Sequence, residues 1–112
     1  MKKIQLQYNK NGNHHRQIFR LNDIAIYEMT SPENGRILGY EVFEVQKFRQ
    51  RQIAGRMIEA SEGTPSNEQW GIKGFTIWQK SDAFKKAAMM QAERDKRKLA
   101  IRNSLELIKN WN

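Results

Sequence analysis

The 112-residue chain contains no cysteine, which excludes a disulfide framework and any zinc site built on thiolates. Histidine is confined to the adjacent pair His14-His15. Neighbours on an extended chain point to opposite faces, and nothing completes a coordination shell, so a solvated loop is the expected setting. No cofactor or metal is expected. Proline occurs twice, at Pro32 and Pro65, and both fall in segments that read as turns. Long apolar runs are missing, and Lys2-Lys3 is not followed by the apolar stretch of a signal peptide, so no membrane partner and a bacterial cytoplasmic location are expected. GIKG, residues 71 to 74, lacks the spacing and the Lys-Ser/Thr of a phosphate-binding loop.

Charge of one sign is what the chain has in excess. Twenty Lys and Arg stand against twelve Asp and Glu, for a net charge of +8, and a basic surface attracts polyanions and releases counterions on meeting phosphates. Most of the excess lies towards the two ends. Residues 31 to 80 are nearly balanced, their cations offset by Glu33, Glu41, Glu44, Glu59, Glu62 and Glu68. A chain of this length makes one domain with a modest core and leaves no room for a separate catalytic unit.

Along the chain, Ile4 to Tyr8 reads as a short edge strand with a turn at Asn11-Gly12, or else residues 1 to 15 are a loose terminus. QIFRLNDIAIYEMTS alternates as one strand, with Ile24 and Ile26 on one side and Ala25, Tyr27 and Met29 on the other. SPENG then supplies a tight reversal, and RILGYEVFEVQKF returns as the second arm of a hairpin. Residues 49 to 64 are expected to form an extended arm or loop. Pro65 starts a single helical turn that Gly71 stops, with Trp70 as the apolar plug fastening it to the sheet. GFTIWQK is a strand whose Phe75 and Ile77 oppose Thr76 and Trp78. From an N-cap at Ser81-Asp82 a helix without Gly or Pro runs to the end. Phe84, Ala87, Ala88, Gln91 and Ala92 are its expected packing face.

Chemistry-bearing constellations are sparse. Glu41 and Glu44 fall on opposite faces of a strand, and no histidine is placed to tune them, so no acid-base centre is expected and the protein reads as non-enzymatic. Lys47, Arg49, Arg51 and Arg56 follow the second strand and Lys73 precedes the third. Cations beside Tyr40, Trp70 or Trp78 are what a DNA or RNA binder would use, since bases stack on rings while phosphates meet arginine. A solvated rim around ordinary core aromatics is the competing reading. Arg94, Lys96, Arg97, Lys98 and Arg102 form a second basic cluster on the helix, diluted by Glu93 and Asp95. Glu93 and Arg97 are spaced to pair. Beyond it, Ile101, Leu105, Ile108 and Trp111 share one helical face, suited to folding back, to self-association as a homodimer, or to docking on another protein.

IAIYEMTSPENGRILGYEVFEV, PSNEQWGIKGFTIW and SDAFKKA together resemble a group of small uncharacterised bacteriophage and mobile-element proteins. That group has a Tyr-Glu-Val strand, a Pro-Ser/Gly-Asn-Glu-x-Trp/Phe-Gly loop and a Gly-Trp/Phe-Thr strand before a helix. The likeness spans residues 24 to 87 and leaves out the basic helical tail. It implies a phage-like origin and action inside a bacterium, and it assigns no catalytic residue.

The expected architecture is a single α+β domain, a small antiparallel sheet of three or four strands packed against a long C-terminal helix whose residues 99 to 112 project. Two functional classes follow. One is an accessory protein binding nucleic acid through Lys47, Arg49, Arg51, Arg56, Lys73, Trp78 and the helical cations, with weak sequence selectivity. The other is a module that engages a host or virion protein, or a second copy of itself, through the terminal helix.

Overall fold

A computed structural model describes residues 1 to 110. Its element order is β1 (Gln7–Lys10), β2 (Asn13–Leu21), β3 (Ile24–Thr30), β4 (Ile37–Glu44), β5 (Gln46–Phe48), β6 (Arg51–Ile53), β7 (Arg56–Ile58), β8 (Ser61–Gly63), a 3₁₀ turn (Asn67–Gln69), β9 (Gly74–Ile77) and α1 (Lys80–Lys109). The fold is α+β: β1-β2-β3-β4-β9 make an antiparallel sheet, and α1 packs across one face. Five strands are present where three or four were expected, because the stretch from Gln17 to Ser31 is two strands. Asn22, at φ 54°, turns the chain between Leu21 and Ile24. The basic N-terminal segment is also ordered, with β1 and β2 joined at Asn11-Gly12.

The alternation in β3 and β4 places apolar residues on both faces of the sheet. Ile24, Ile26, Tyr40 and Val42 face α1 and bury Ala83 and Ala87 of the helix. A bulge between Gln17 and Phe19 lets Ile18 and Phe19 both join that layer. Ala25, Tyr27, Phe43 and Val45 form a second layer on the far face, closed by Ile4, Tyr8 and Trp70. The SPENG reversal is formed as read, with Gly35 N–H donating to the Ser31 carbonyl. Trp70 is the plug that its sequence implied: its ring lies 6.5 Å from that of Phe43, and its indole N–H donates to Thr76 Oγ1 at 3.1 Å.

The helix departs from expectation at its start and in its rotation. It begins at Lys80 with Gln79 as N-cap, without a side-chain cap from Ser81 or Asp82. Ala83, Ala87, Met90 and Arg94 face the sheet, while Ala88 and Ala92 are exposed. Alanine is too small to report its own orientation in a sequence, and Phe84, in edge contact with Phe19, marks only the border of the packed stripe. α1 is continuous through the charged stretch.

Residues 46 to 63 form a two-stranded arm. β5 pairs with β8 at its base and β6 with β7 at its tip, turned by Ala54-Gly55 at φ 50° and 77°. Lys2 adds hydrogen bonds to Ala60 and Glu62 beside β8. Every residue from Lys47 to Met57 is exposed. The arm and the end of α1 stretch the molecule to 66 × 44 × 22 Å, with a Cα radius of gyration of 17.4 Å, against about 13 Å for a compact chain of this length.

Candidate nucleic-acid interface

Both projections leave the body at the same end of the sheet. β9 runs antiparallel to β4, so α1, turning back from Ile77, travels with β4 and reaches its last residue, Glu44, at Arg94. Past that point 15 residues of helix, about 22 Å at 1.5 Å per residue, extend beyond the strand ends. The arm begins there too, since β5 follows β4 by one residue. Lys73, at the start of β9, accepts the Glu44 backbone N–H and marks the same end.

A cluster of charges ties the two bases together. Asp23, in the β2-β3 turn, receives Arg94 Nη2 at 2.7 Å and Lys47 Nζ at 3.2 Å, with Arg20 at 3.8 Å. The other guanidinium nitrogen of Arg94 donates to Glu44. Arg20 also makes a two-pronged contact with Glu62 of β8, at 2.7 and 2.8 Å. That guanidinium holds the Glu62 carboxyl down at about 2, and the Ile4 backbone N–H adds to the effect. Arg94 is therefore removed from the set of free cations: its side chain is 14% exposed and it serves as the latch between helix and sheet. Lys47 is shared between Asp23 and solvent.

The remaining cations of the two runs are turned to solvent. Arg49, Arg51 and Arg56 on the arm, and Lys96, Arg97, Lys98 and Arg102 on the helix, are exposed and make no ion pair among the described residues. Glu93 and Arg97, spaced to pair, do not. The outer part of the arm, residues 49 to 58, has no acidic residue. The near balance of charge over residues 31 to 80 conceals this, because Glu41 and Glu44 are held in the body and Glu62 at the base of the arm, while Glu59, exposed just past β7, lies 3.8 Å from the N-terminal amine.

Aromatic residues distribute differently from expectation. Trp78 is 75% exposed, but it follows β9 at the end of the sheet remote from the arm, beside Gly39. Tyr40 is buried and Trp70 is committed to its plug. Neither of these nor Trp78 joins the basic end. The ring that does is Phe48, 42% exposed, with the Arg51 guanidinium 5.5 Å above it. Sequence reading passed over Phe48 as one more residue of an alternating strand; its place between Lys47 and Arg49 was the available signal.

The helix end carries the other expected surface. Ile101, Leu105 and Ile108 are 61%, 61% and 70% exposed, and at 100° per residue they continue the stripe that Ala83, Ala87, Met90 and Arg94 present to the sheet. Trp111 lies outside the described residues.

On the far face of the sheet one expectation is corrected. His15 is in β2, not a solvated loop, and its Nδ1 lies 3.1 Å from Glu41 Oε1, with Tyr8 stacked on the imidazole at 4.9 Å. Glu41 thus does have a histidine beside it. The pair is enclosed, His15 at 2% and Glu41 at 7% exposed, and the Tyr8 hydroxyl is pushed well above its ordinary range by burial and by Glu41. His14 faces the other way, towards Gln7. No group of three or more acidic or histidine side chains that could hold a metal occurs among the described residues, and no helix there is long and apolar enough to cross a membrane. Compared with protein-family models, with curated proteins and with solved structures, the chain finds no match.

Proposed function

We propose that the protein is a non-enzymatic accessory factor that binds nucleic acid through the basic end of the molecule, with weak sequence selectivity. The observation that carries this reading is the gathering of exposed cations on two projections from one end, Arg49, Arg51 and Arg56 on the arm and Lys96, Arg97, Lys98 and Arg102 on the helix, while Asp23, Glu44 and Glu62 at their bases are held by Arg20, Lys47 and Arg94. Polyanion binding by such a surface is driven by counterion release and falls steeply with salt. The phage-like character that the sequence resembles is compatible with this role and belongs to the same proposal.

Anisotropy titrations of labelled oligonucleotides at several salt concentrations test it. Arg51→Ala with Arg56→Ala is expected to weaken binding and to reduce the slope of log K against log salt by about 2, close to one per phosphate contact removed. Affinity that is absent at low salt, or unchanged in the double variant, would reject the assignment. A second reading rests on its own observation, the uncovered stripe Ile101, Leu105 and Ile108. It makes the helix end a contact for a host or virion protein or for a second copy of the chain. That contact would survive high salt and be lost in Leu105→Asp.

A further inference from the structure

We infer that the ligand of the arm is duplex DNA in B form, received with the β6-β7 ribbon in the major groove. This rests on the nucleic-acid reading above and narrows it. The first ground is shape. A major groove about 12 Å wide admits a two-stranded ribbon, whereas the deep, narrow major groove of an A-form RNA duplex does not. The second ground is the layout of side chains. Arg51 pairs across the ladder with Ile58, and Ile53 with Arg56, so one face of the ribbon carries a guanidinium from each strand in diagonal positions. Arg51 and Arg56 can then reach opposite walls of a groove or the N7 and O6 edge of guanine, while Ile53, 52% exposed, is placed for a thymine methyl group. Gln52 and Met57 occupy the other face.

The third ground is what accompanies the cations. Single-strand binders set out rings on which successive bases stack, and here Trp70 and Tyr40 are committed to the core while Trp78 stands at the far end. Phe48 alone does not make a track. Nor does the core explain the ribbon, since residues 51 to 57 are all exposed and a lone hairpin is marginally stable. Few side chains can touch base edges, which accounts for weak selectivity.

The test compares a DNA duplex of about 20 base pairs, enough for two turns, with the RNA duplex of the same sequence and with the single DNA strand, at one salt concentration. Two variants separate shape from charge. Gly55→Val strains the turn, where φ is +77°, without changing the net charge; Arg51→Ala with Arg56→Ala removes charge and leaves the turn intact. The expected result is DNA-duplex binding about tenfold or more tighter than binding to either other ligand, a preference that both variants abolish while retaining weak, salt-sensitive binding through the helix. A netropsin-filled minor groove is expected to leave the affinity unchanged. Equal affinity for the three ligands overturns the inference and leaves the nucleic-acid reading standing. So does a preference that persists in Gly55→Val, or competition by netropsin. Binding to none of the three at low salt overturns both.

Discussion

Gly74 sits beneath the indole of Trp70, and a Cβ built there would lie 2.5 Å from Trp70 Cε3. The ring is held by its contact with Phe43 and by its bond to Thr76, so it cannot slide away freely. Gly74→Ala is expected to destabilise the fold by about 2 kcal/mol, read as a lower urea midpoint with an unchanged m-value. Glu62 is held by a cation from a distant part of the chain. Its folded pKa is depressed from 4.5 to about 2 by Arg20, so the stabilisation is complete above about pH 4.5 and is lost as the pH falls towards 2. The Glu62 carboxylate is covered but the Arg20 side chain is 23% exposed, so water screens the pair in part and it is worth about 1–2 kcal/mol, short of what the full depression converts to. Wild type should lose that amount between pH 5 and 2, as about the unfolded and folded values dictate. Glu62→Gln should start lower and show a flatter acid limb. Trp70 was legible in the sequence as a plug, but the need for glycine at 74 was not, since the indole that covers it arrives by the fold of the turn. Nor was the glutamate, because its partner Arg20 is 42 residues away.

Among the elements, α1 is held to the sheet by little apolar area. Its fully buried residues are two alanines, and Arg94 supplies the specific attachment. Arg94→Ala leaves Asp23 and Glu44 without their main cation, and a loss of about 2–3 kcal/mol is expected, accompanied by faster amide exchange along the first half of the helix. Leu105→Asp, by contrast, alters an exposed residue, and its unfolding free energy should stay within about 0.5 kcal/mol of wild type. A large drop there would mean that the stripe is covered in solution. The hairpin of β3 and β4 and the terminal helix could be read from turn chemistry and periodicity. Asn22 could not, since its turn contains neither Gly nor Pro and the alternation runs across it. The ribbon was visible only as an arm, because Arg-Gln-Ile and Arg-Met-Ile are too short for periodicity to declare them strands.

The molecule as a whole is polarised in charge and shape. The outer arm, residues 49 to 58, and the helix end, residues 95 to 110, together hold Arg49, Arg51, Arg56, Lys96, Arg97, Lys98, Arg102 and Lys109 against Asp95 and Glu106, a net +6, with Glu59 and Glu62 nearer the base of the arm. Their convergence follows from α1 running with β4 and from the Asp23 cluster, neither of which sequence spacing encodes; this is why the cations appeared as two separate runs. Shape offers a check that needs no ligand. Small-angle scattering of dilute protein should give a radius of gyration near the 17.4 Å of the Cα trace, not the roughly 13 Å of a compact domain. A value close to the compact one would mean that the arm or the helix end folds back onto the body. A radius that instead rises with protein concentration, in high salt as in low, would point to self-association through Ile101, Leu105 and Ile108, since apolar contacts survive the screening that weakens contacts between charges.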